Sequence, residues 1–356
     1  GYVVKKMAHT TRLLLNLIQL SKIITMKIYH FLTLAFLILI FSSCDRKILD
    51  ENPENDNLEL FDAMWSEVNE NYVFFDMKDI DWNQVHAIYT EQISSDMSDE
   101  ALFAVLSGAL SELKDGHVSL YSGFNTWNYY DLYLEAPANF NPDFIERTYL
   151  GQKKTIGPFT YTILESVGYL QYNSFGKDFT DEQLQYLLQY FQDTDGLIID
   201  VRGNLGGAAD NITRLMSVLV NEDLVSGKLF TPNHDGQLME EDITIHKNEK
   251  LGTYSGEIVL LTNRQCYSSC NVFAGFMSQL SNVTIVGDTT GGGSGLAVGS
   301  ELANGWRYRY SAAKITLADG TEIEEGVTPD YEVTTGPAEE LQGKDALIDF
   351  SITLLK

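Results

Sequence analysis

Basic residues are scarce. The 356 residues include 24 Lys and Arg against 50 Asp and Glu, a formal net charge of −26. A nucleic-acid surface needs clustered Lys and Arg to displace phosphate counterions, so the balance excludes that partner and, for the same reason, a polybasic membrane contact. Lys5, Lys6, Arg12, Lys22 and Lys27 precede residue 44 in a stretch with no Asp or Glu, which leaves 50 acids against 19 bases, net −31, for the remainder. An acidic surface of this kind favours solubility. Cysteine is scarcer still, with only Cys44, Cys266 and Cys270. Two cysteines without a nearby His pair do not make a zinc site. There is no internal repeat, no Walker lysine and no complete dinucleotide fingerprint.

What is present begins with an address. MKIYHFLTLAFLILIFSSC, residues 26–44, has a basic start, an apolar run from Phe31 to Phe41, and small residues before a cysteine. That is the layout of a secretory signal, and the run is too short to span a bilayer comfortably. It resembles a bacterial lipoprotein signal with Cys44 lipidated, although Phe41 stands where Leu is usual. An uncleaved anchor helix is the alternative. Residues 1–25 read as a non-native extension upstream of a better start at Met26. Residues 45–56 are polar and read as a tether.

Hydrophobic spacing organises the rest. Leu58, Phe61, Met64, Trp65, Val68 and Tyr72 recur at helical intervals. Asp81 can cap a second helix, and Ser98 or Asp99 a third. Residues 57–122 therefore read as a small helical domain ending in the Asp115-Gly116-His117 motif. Residues 123–165, rich in Tyr, Asn and Pro, read as a β-rich insert. From residue 166 to 356 strands and helices alternate. Residues 167–175 form a strand, and Thr180 with Gln183 forms a capping box. Residues 196–201 and 257–262 are apolar runs of the kind buried on both faces of a sheet, and residues 345–355 form a last helix. RYRYS and AKITL, with Asp319-Gly320 as a turn, suggest a late hairpin. The class is α/β.

Three stretches can carry chemistry. DVRGNLGG, residues 200–207, follows a buried strand, and its glycines can turn backbone N–H groups toward a ligand, either a phosphate or an oxyanion. NRQCYSSCNVFAGFM, residues 263–277, leads from a buried strand into a helix, which is where a serine nucleophile would be exposed, although a serine there is more often a cap. His117 is a possible base, or a structural histidine.

Taken in order, KDGHVSL, GYLQYNSF, DGLIIDVRGNLGG, LLTNRQCYSSCNVFAGFM, VTIVGDTTGGG and IEEGVTPD resemble the serine peptidases of the C-terminal processing protease and tricorn core group, over residues 57–354. The helical segment resembles the domain preceding that core in tricorn-like members. The resemblance implies a Clp protease/crotonase-like core, a peptide or protein substrate, and neither metal nor organic cofactor. It places the nucleophile on Ser268 and one oxyanion donor on the N–H of Ser269, with the other from Gly206 or Gly207. The lysine base of processing members is absent, because Gly293 stands at its position. His117 matches the tricorn-type base, with Glu324, or else Glu325, as its carboxylate partner. The serine that precedes that histidine in tricorn is Gly116 here. About fifty residues separate His117 from Gly168, too few for a separate PDZ domain. The expected protein is a lipid-anchored, cell-envelope serine peptidase. The alternatives are an inactive binding lipoprotein on the same scaffold and, more weakly, an acyl-CoA enzyme of crotonase-like architecture. Cys266 and Cys270 read as two small buried thiols packed around the nucleophile turn, with a disulfide as the competing reading.

Overall fold

The structure, a computed structural model, describes residues 56–129, 136–151, 153–233 and 236–356. The signal, Cys44 and nearly all of the tether lie outside the described residues. Residues 57–356 form one compact unit.

Helices α1 (Asn57–Asn71), α2 (Trp82–Thr90) and α3 (Asp99–Ser111) open it. The apolar spacing places Leu60, Phe61, Met64 and Val68 of α1 inward. The Gln84 N–H donates to the Asp81 carboxylate at the start of α2. Of the two possible caps for α3, Ser98 is the one that accepts, from the Ala101 N–H. Later helices are α4 (Asp181–Phe191), α5 (Asp210–Met216), α6 (Ser269–Met277) and α7 (Ala346–Leu354). Both halves of the Thr180–Gln183 capping box are formed.

The strands are β1 (Ser119–Tyr121), β2 (Thr126–Asn128), β3 (Lys154–Ile156), β4 (Phe159–Leu164), β5 (Val167–Tyr172), β6 (Leu197–Asp200), β7 (Leu224–Pro232), β8 (Leu238–Ile245), β9 (Ile258–Thr262), β10 (Val283–Gly287), β11 (Gly295–Glu301), β12 (Arg307–Leu317) and β13 (Tyr331–Glu332). One sheet runs β13-β10-β9-β6-β5-β4-β3, and the other β2-β1-β12-β7-β8 with β11 also on β12. Pairing is parallel from β5 through β6, β9 and β10 to β13. It is antiparallel where β4 joins β5 and β3 joins β4.

The parallel strands alternate between two cores, as a sheet covered on both faces must. Leu197, Ile199, Ile258 and Leu260 enter one with α4, α5 and α6. Ile198, Val259 and Leu261 enter the other with Leu347, Ile348 and Ile352 of α7. Each fully buried aliphatic side chain contributes about 1.5–3 kcal/mol. A third core joins α1, α2 and α3 to β1 and to Leu302, Trp306, Tyr308 and Tyr310.

The late hairpin differs from the expectation. RYRYS and AKITL are one continuous strand, β12, and its hairpin partner is β11. The Asp319-Gly320 turn exists, with Gly320 at φ 87°. Its second arm makes a single bridge, Thr316 to Glu322. The inward face of β12 switches at Ser311, from Tyr308 and Tyr310 before it to Ala313 and Ile315 after it, where the register against β11 shifts, and the buried Ser311 hydroxyl finds a partner.

Candidate active site

β9 lies between β6 and β10, so its carboxyl end emerges mid-sheet. The chain turns there over residues 263–267 and enters α6 at Ser269. Ser268 sits at the turn with φ 55° and ψ −124°. A conformation of this kind costs a non-glycine residue on the order of 1–3 kcal/mol, and it persists only where the surroundings enforce it. Here the Ser268 N–H donates to the Gly292 carbonyl at 3.0 Å, and the Tyr267 N–H donates to the Asn204 carbonyl at 3.2 Å. Two thiols brace the same turn, since Cys266 Sγ donates to the Val201 carbonyl at 3.2 Å and Cys270 Sγ lies 3.7 Å from that oxygen. Both thiols are free and buried, in agreement with the thiol reading. Burial and the neighbouring Cys266 sulfur push the Cys270 thiol well up, so it stays protonated.

His117 comes from the other end of the chain, between α3 and β1. Its Nε2 lies 3.0 Å from Ser268 Oγ. Two groups face Nδ1, the Tyr267 hydroxyl at 3.3 Å and Asp115 Oδ1 at 3.5 Å, the latter an ion-pair distance. Asp115 is 1% exposed. It accepts the His117 backbone N–H at 2.8 Å and the Ser311 hydroxyl at 2.7 Å. Burial alone would raise its carboxyl. The His117 ring and N–H, together with the Lys78 ammonium, oppose that and bring it down to about 2.

The carboxylate beside the ring is therefore Asp115, where the family pattern pointed to Glu324 or Glu325. Glu324 is buried, but its oxygens are engaged elsewhere. Oε1 is 3.0 Å from Lys78 Nζ, while Oε2 accepts the Ser294 N–H at 2.7 Å and the Ser294 hydroxyl at 3.1 Å. Burial and the Asp115 charge raise the Glu324 carboxyl, against the pull of Lys78 and the Ser294 N–H. Glu325 is exposed. The hydroxyl near Nδ1 that Gly116 cannot supply comes instead from Tyr267.

The glycine stretch packs against the serine turn. A Cβ on Gly206, at φ 94°, would fall 2.9 Å from Ser268 Cβ and 2.9 Å from the Ser269 nitrogen. The Gly206 N–H already donates to Asn204 Oδ1 at 2.9 Å. Those of Gly207 and Ser269 donate to no acceptor among the described residues, and the Ser269 hydroxyl donates to the Gly207 carbonyl at 2.7 Å. Of the two glycines, Gly207 thus keeps an available amide. Gly293, where processing members carry lysine, has φ 81°, and a Cβ there would meet the Tyr267 ring at 2.5 Å. The tyrosine occupies the direction in which a side chain from that position would point.

Beneath the site lies a closed ionic cluster. The Arg202 Nε and Nη2 donate to the Asp200 oxygens at 3.0 and 2.7 Å, and Nη1 donates to Asp345 Oδ2 at 3.1 Å. Tyr169 donates to Asp200 at 2.7 Å, and Asp345 caps α7 by accepting the N–H groups of Leu347 and Ile348. Arg202 is completely buried. The cluster fixes the strand end from which the glycine loop departs. A cavity of about 460 Å³ opens where β9 and β10 end, lined by Arg264, Asp288, Thr289 and Glu332 among others, but neither Ser268 nor His117 lines it. No group of His, Cys, Asp and Glu among the described residues is arranged to hold a metal ion.

The sequence pointed to Ser268, His117, Ser269 and the glycines, and the structure brings them together. It did not single out Asp115, Tyr267 or Lys78. Asp115 and Tyr267 stood inside the quoted motifs, two residues before the histidine and one before the serine. Lys78 carried no local signal.

Residues 166–333 match peptidase family S41, and residues 53–111 match the tricorn protease C1 domain. The crystal structure of a Parabacteroides merdae protein assigned as a peptidase is similar with a TM-score of 0.79 and 33% identity, covering 86% of this chain and 97% of that one. The carboxy-terminal processing protease CtpB of Bacillus subtilis is 22% identical over 187 residues, 52% of this chain and 36% of its own length. The tricorn protease of Thermoplasma acidophilum is 27% identical over 214 residues, 57% of this chain and 17% of its own. The chain thus spans less than two-fifths of the length of these curated relatives. With the core and the preceding helices each matched, and nearly all of the P. merdae chain covered, the chain belongs to peptidase family S41, in the company of carboxy-terminal processing and tricorn proteases.

Proposed function

We propose that the protein is a serine peptidase of the cell envelope that cleaves peptides or proteins through an acyl-enzyme, with Ser268 as nucleophile and His117 as base. The observation that carries this reading is the 3.0 Å contact between His117 Nε2 and Ser268 Oγ across 151 residues of sequence, at a serine held in a strained backbone conformation. A histidine kept only for structure has no reason to meet that hydroxyl, so the contact also speaks against an inert scaffold.

The chemistry follows from the geometry. With the proton of the neutral ring on Nδ1, facing Tyr267 and Asp115, Nε2 is free to accept the Ser268 proton. Oγ then bonds to the scissile carbonyl carbon, and the carbonyl π pair moves onto oxygen. The amides of Ser269 and Gly207 are the donors for that oxyanion, each worth roughly 3 kcal/mol of barrier. Ser269 also has the positive end of the α6 dipole behind it. As the C–N bond breaks, Nε2 returns its proton to the leaving amine. Water, activated by the same nitrogen, then releases the acyl group. Asp115 stabilises the transient imidazolium, while Glu324 stands one step further away.

Envelope location rests on the signal-like residues 26–44, with Cys44 as the lipidated residue. Among the described residues no helix is long and apolar enough to cross a membrane. The test is a fluorophosphonate probe on the purified protein. Covalent labelling that is lost in Ser268→Ala and in His117→Ala supports the reading, and no labelling of the folded wild type overturns it.

A further inference from the structure

Lys78 belongs to the connection between α1 and α2, yet its ammonium ends inside the site. Its side chain is 13% exposed, and Nζ lies 3.0 Å from Glu324 Oε1. Nζ also donates to the Lys114 carbonyl at 2.8 Å and lies 5.4 Å from the centre of the Phe74 ring. Lys114 itself has φ 46°, a left-handed conformation, and it immediately precedes Asp115. One side chain from the helical segment thus touches both the buried glutamate and the backbone that presents Asp115 and His117.

The charges explain why such a contact would matter. Asp115 and Glu324 are 1% and 7% exposed, and the negative charge of each acts on the other. Without a cation they would place two negative charges behind the imidazole. With Lys78 the set of Lys78, Asp115 and Glu324 carries one. When Ser268 passes its proton to His117, the ring becomes the second cation and the group becomes neutral. Among the described residues, the other titratable groups that act on it are two tyrosines. Tyr267 is at Nδ1, and Tyr72, whose hydroxyl donates to the Leu113 carbonyl, is pushed well up by burial and by the two carboxylates, so it stays neutral.

We infer that Lys78 is a positioning residue of this active site, whose ammonium offsets the Glu324 charge so that His117 works against Asp115 alone. The inference rests on the peptidase reading above. It makes the amino-terminal helical segment a contributor to catalysis rather than a neighbouring module.

The test follows fluorophosphonate labelling rates from pH 6 to 9 in wild type, Lys78→Met, Lys78→Arg and the double variant Lys78→Met/Glu324→Gln. Removing the cation leaves an extra negative charge near the ring, which favours the imidazolium and moves the acid limb of the profile upward. A shift of about one pH unit is expected, the usual size for one changed charge at close range. Lys78→Met should then label about tenfold more slowly at pH 6.5 and within about twofold of wild type at pH 9. The double variant, which removes both charges, should return the limb to the wild-type position, and Lys78→Arg should leave it there. The inference is overturned if Lys78→Met keeps the wild-type profile, even with a lowered unfolding temperature, or if the double variant is as impaired as Lys78→Met. If Lys78→Met does not fold, Glu324→Gln decides in its place: one negative charge fewer near the ring should move the acid limb downward, and an unmoved limb overturns the inference. Absence of labelling in wild type would instead sink the peptidase reading, and this inference with it.

Discussion

Two buried ionic clusters lie within this fold, and both hold two carboxylates and one fixed cation. In the first, Arg202 bridges Asp200 and Asp345 by bidentate hydrogen bonds, and Tyr169 and the first amides of α7 take up remaining lone pairs. In the second, Lys78 pairs with Glu324, and Asp115 faces an imidazole that in turn touches a serine hydroxyl. The difference is one titratable ring. The Arg202 cluster has no imidazole and touches no catalytic side chain, and both of its carboxylates are tied to the one guanidinium, so its part is to hold shape. The Lys78 cluster faces a member, His117, that would change charge in the proposed mechanism each time a proton left Ser268. Cation choice fits the division, because a guanidinium forks onto carboxylates in fixed geometry while an ammonium is a compact point charge.

Substitutions should separate the two. The largest effect is expected from Asp115→Asn. Losing the charge behind Nδ1 while keeping the shape should lower the labelling rate by about 10²–10⁴-fold, because the ring loses its preferred tautomer and the support for its cationic form. The variant should remain folded at neutral pH, and a loss of rate below tenfold would remove Asp115 from the catalytic group. Arg202→Met should do the reverse. Leaving Asp200 and Asp345 buried without their partner should cost about 3–5 kcal/mol of stability in denaturant titration. The labelling rate of the fraction that remains folded should stay near that of wild type. A stable Arg202→Met with impaired labelling would erase the contrast between the clusters.

The smallest effect sharpens it through pH. Asp115 has its carboxyl depressed from 3.8 to about 2, so its contribution to stability is fully present above its ordinary value and is lost as pH falls through the folded one. The advantage of wild type over Asp115→Asn in unfolding free energy should shrink by about 2 kcal/mol between pH 5 and 2. Asp345 is raised, chiefly by burial against the pull of Arg202, so its contribution has the opposite sign and is lost as pH rises through its folded value. Equal slopes in Asp115→Asn and wild type would show that the carboxylate is not held ionised by its neighbours.

Much of this was legible in the sequence wherever the signal is local. The strand runs at residues 196–201 and 257–262, the Thr180 capping box and the serine at the head of α6 follow from nearest neighbours in the chain. The glycines were legible as a pair, but not which one keeps its amide, because that depends on the Asn204 side chain folding back two residues. Asp115 was hidden in plain view. Its role needs the Ser311 hydroxyl, 196 residues away, and the family pattern drew attention to Glu324 instead. Lys78 could not be found at all, since an isolated lysine after a helix reads as solvated surface until tertiary packing closes over it. The loss of a lysine at Gly293 looked like the removal of a base. The structure adds that Tyr267 stands in the same space and lends its hydroxyl to the histidine.

One strand has a wider consequence. β12 sends Tyr308 and Tyr310 into the core shared with the front helices and Ile315 into the core beneath the parallel sheet, with Ser311 reaching Asp115 between them. A fragment cut to begin at Val167 would therefore lose more than an appendage. Half of one of its own strands would be stripped of its covering, and the groups that orient the imidazole would leave with the discarded piece.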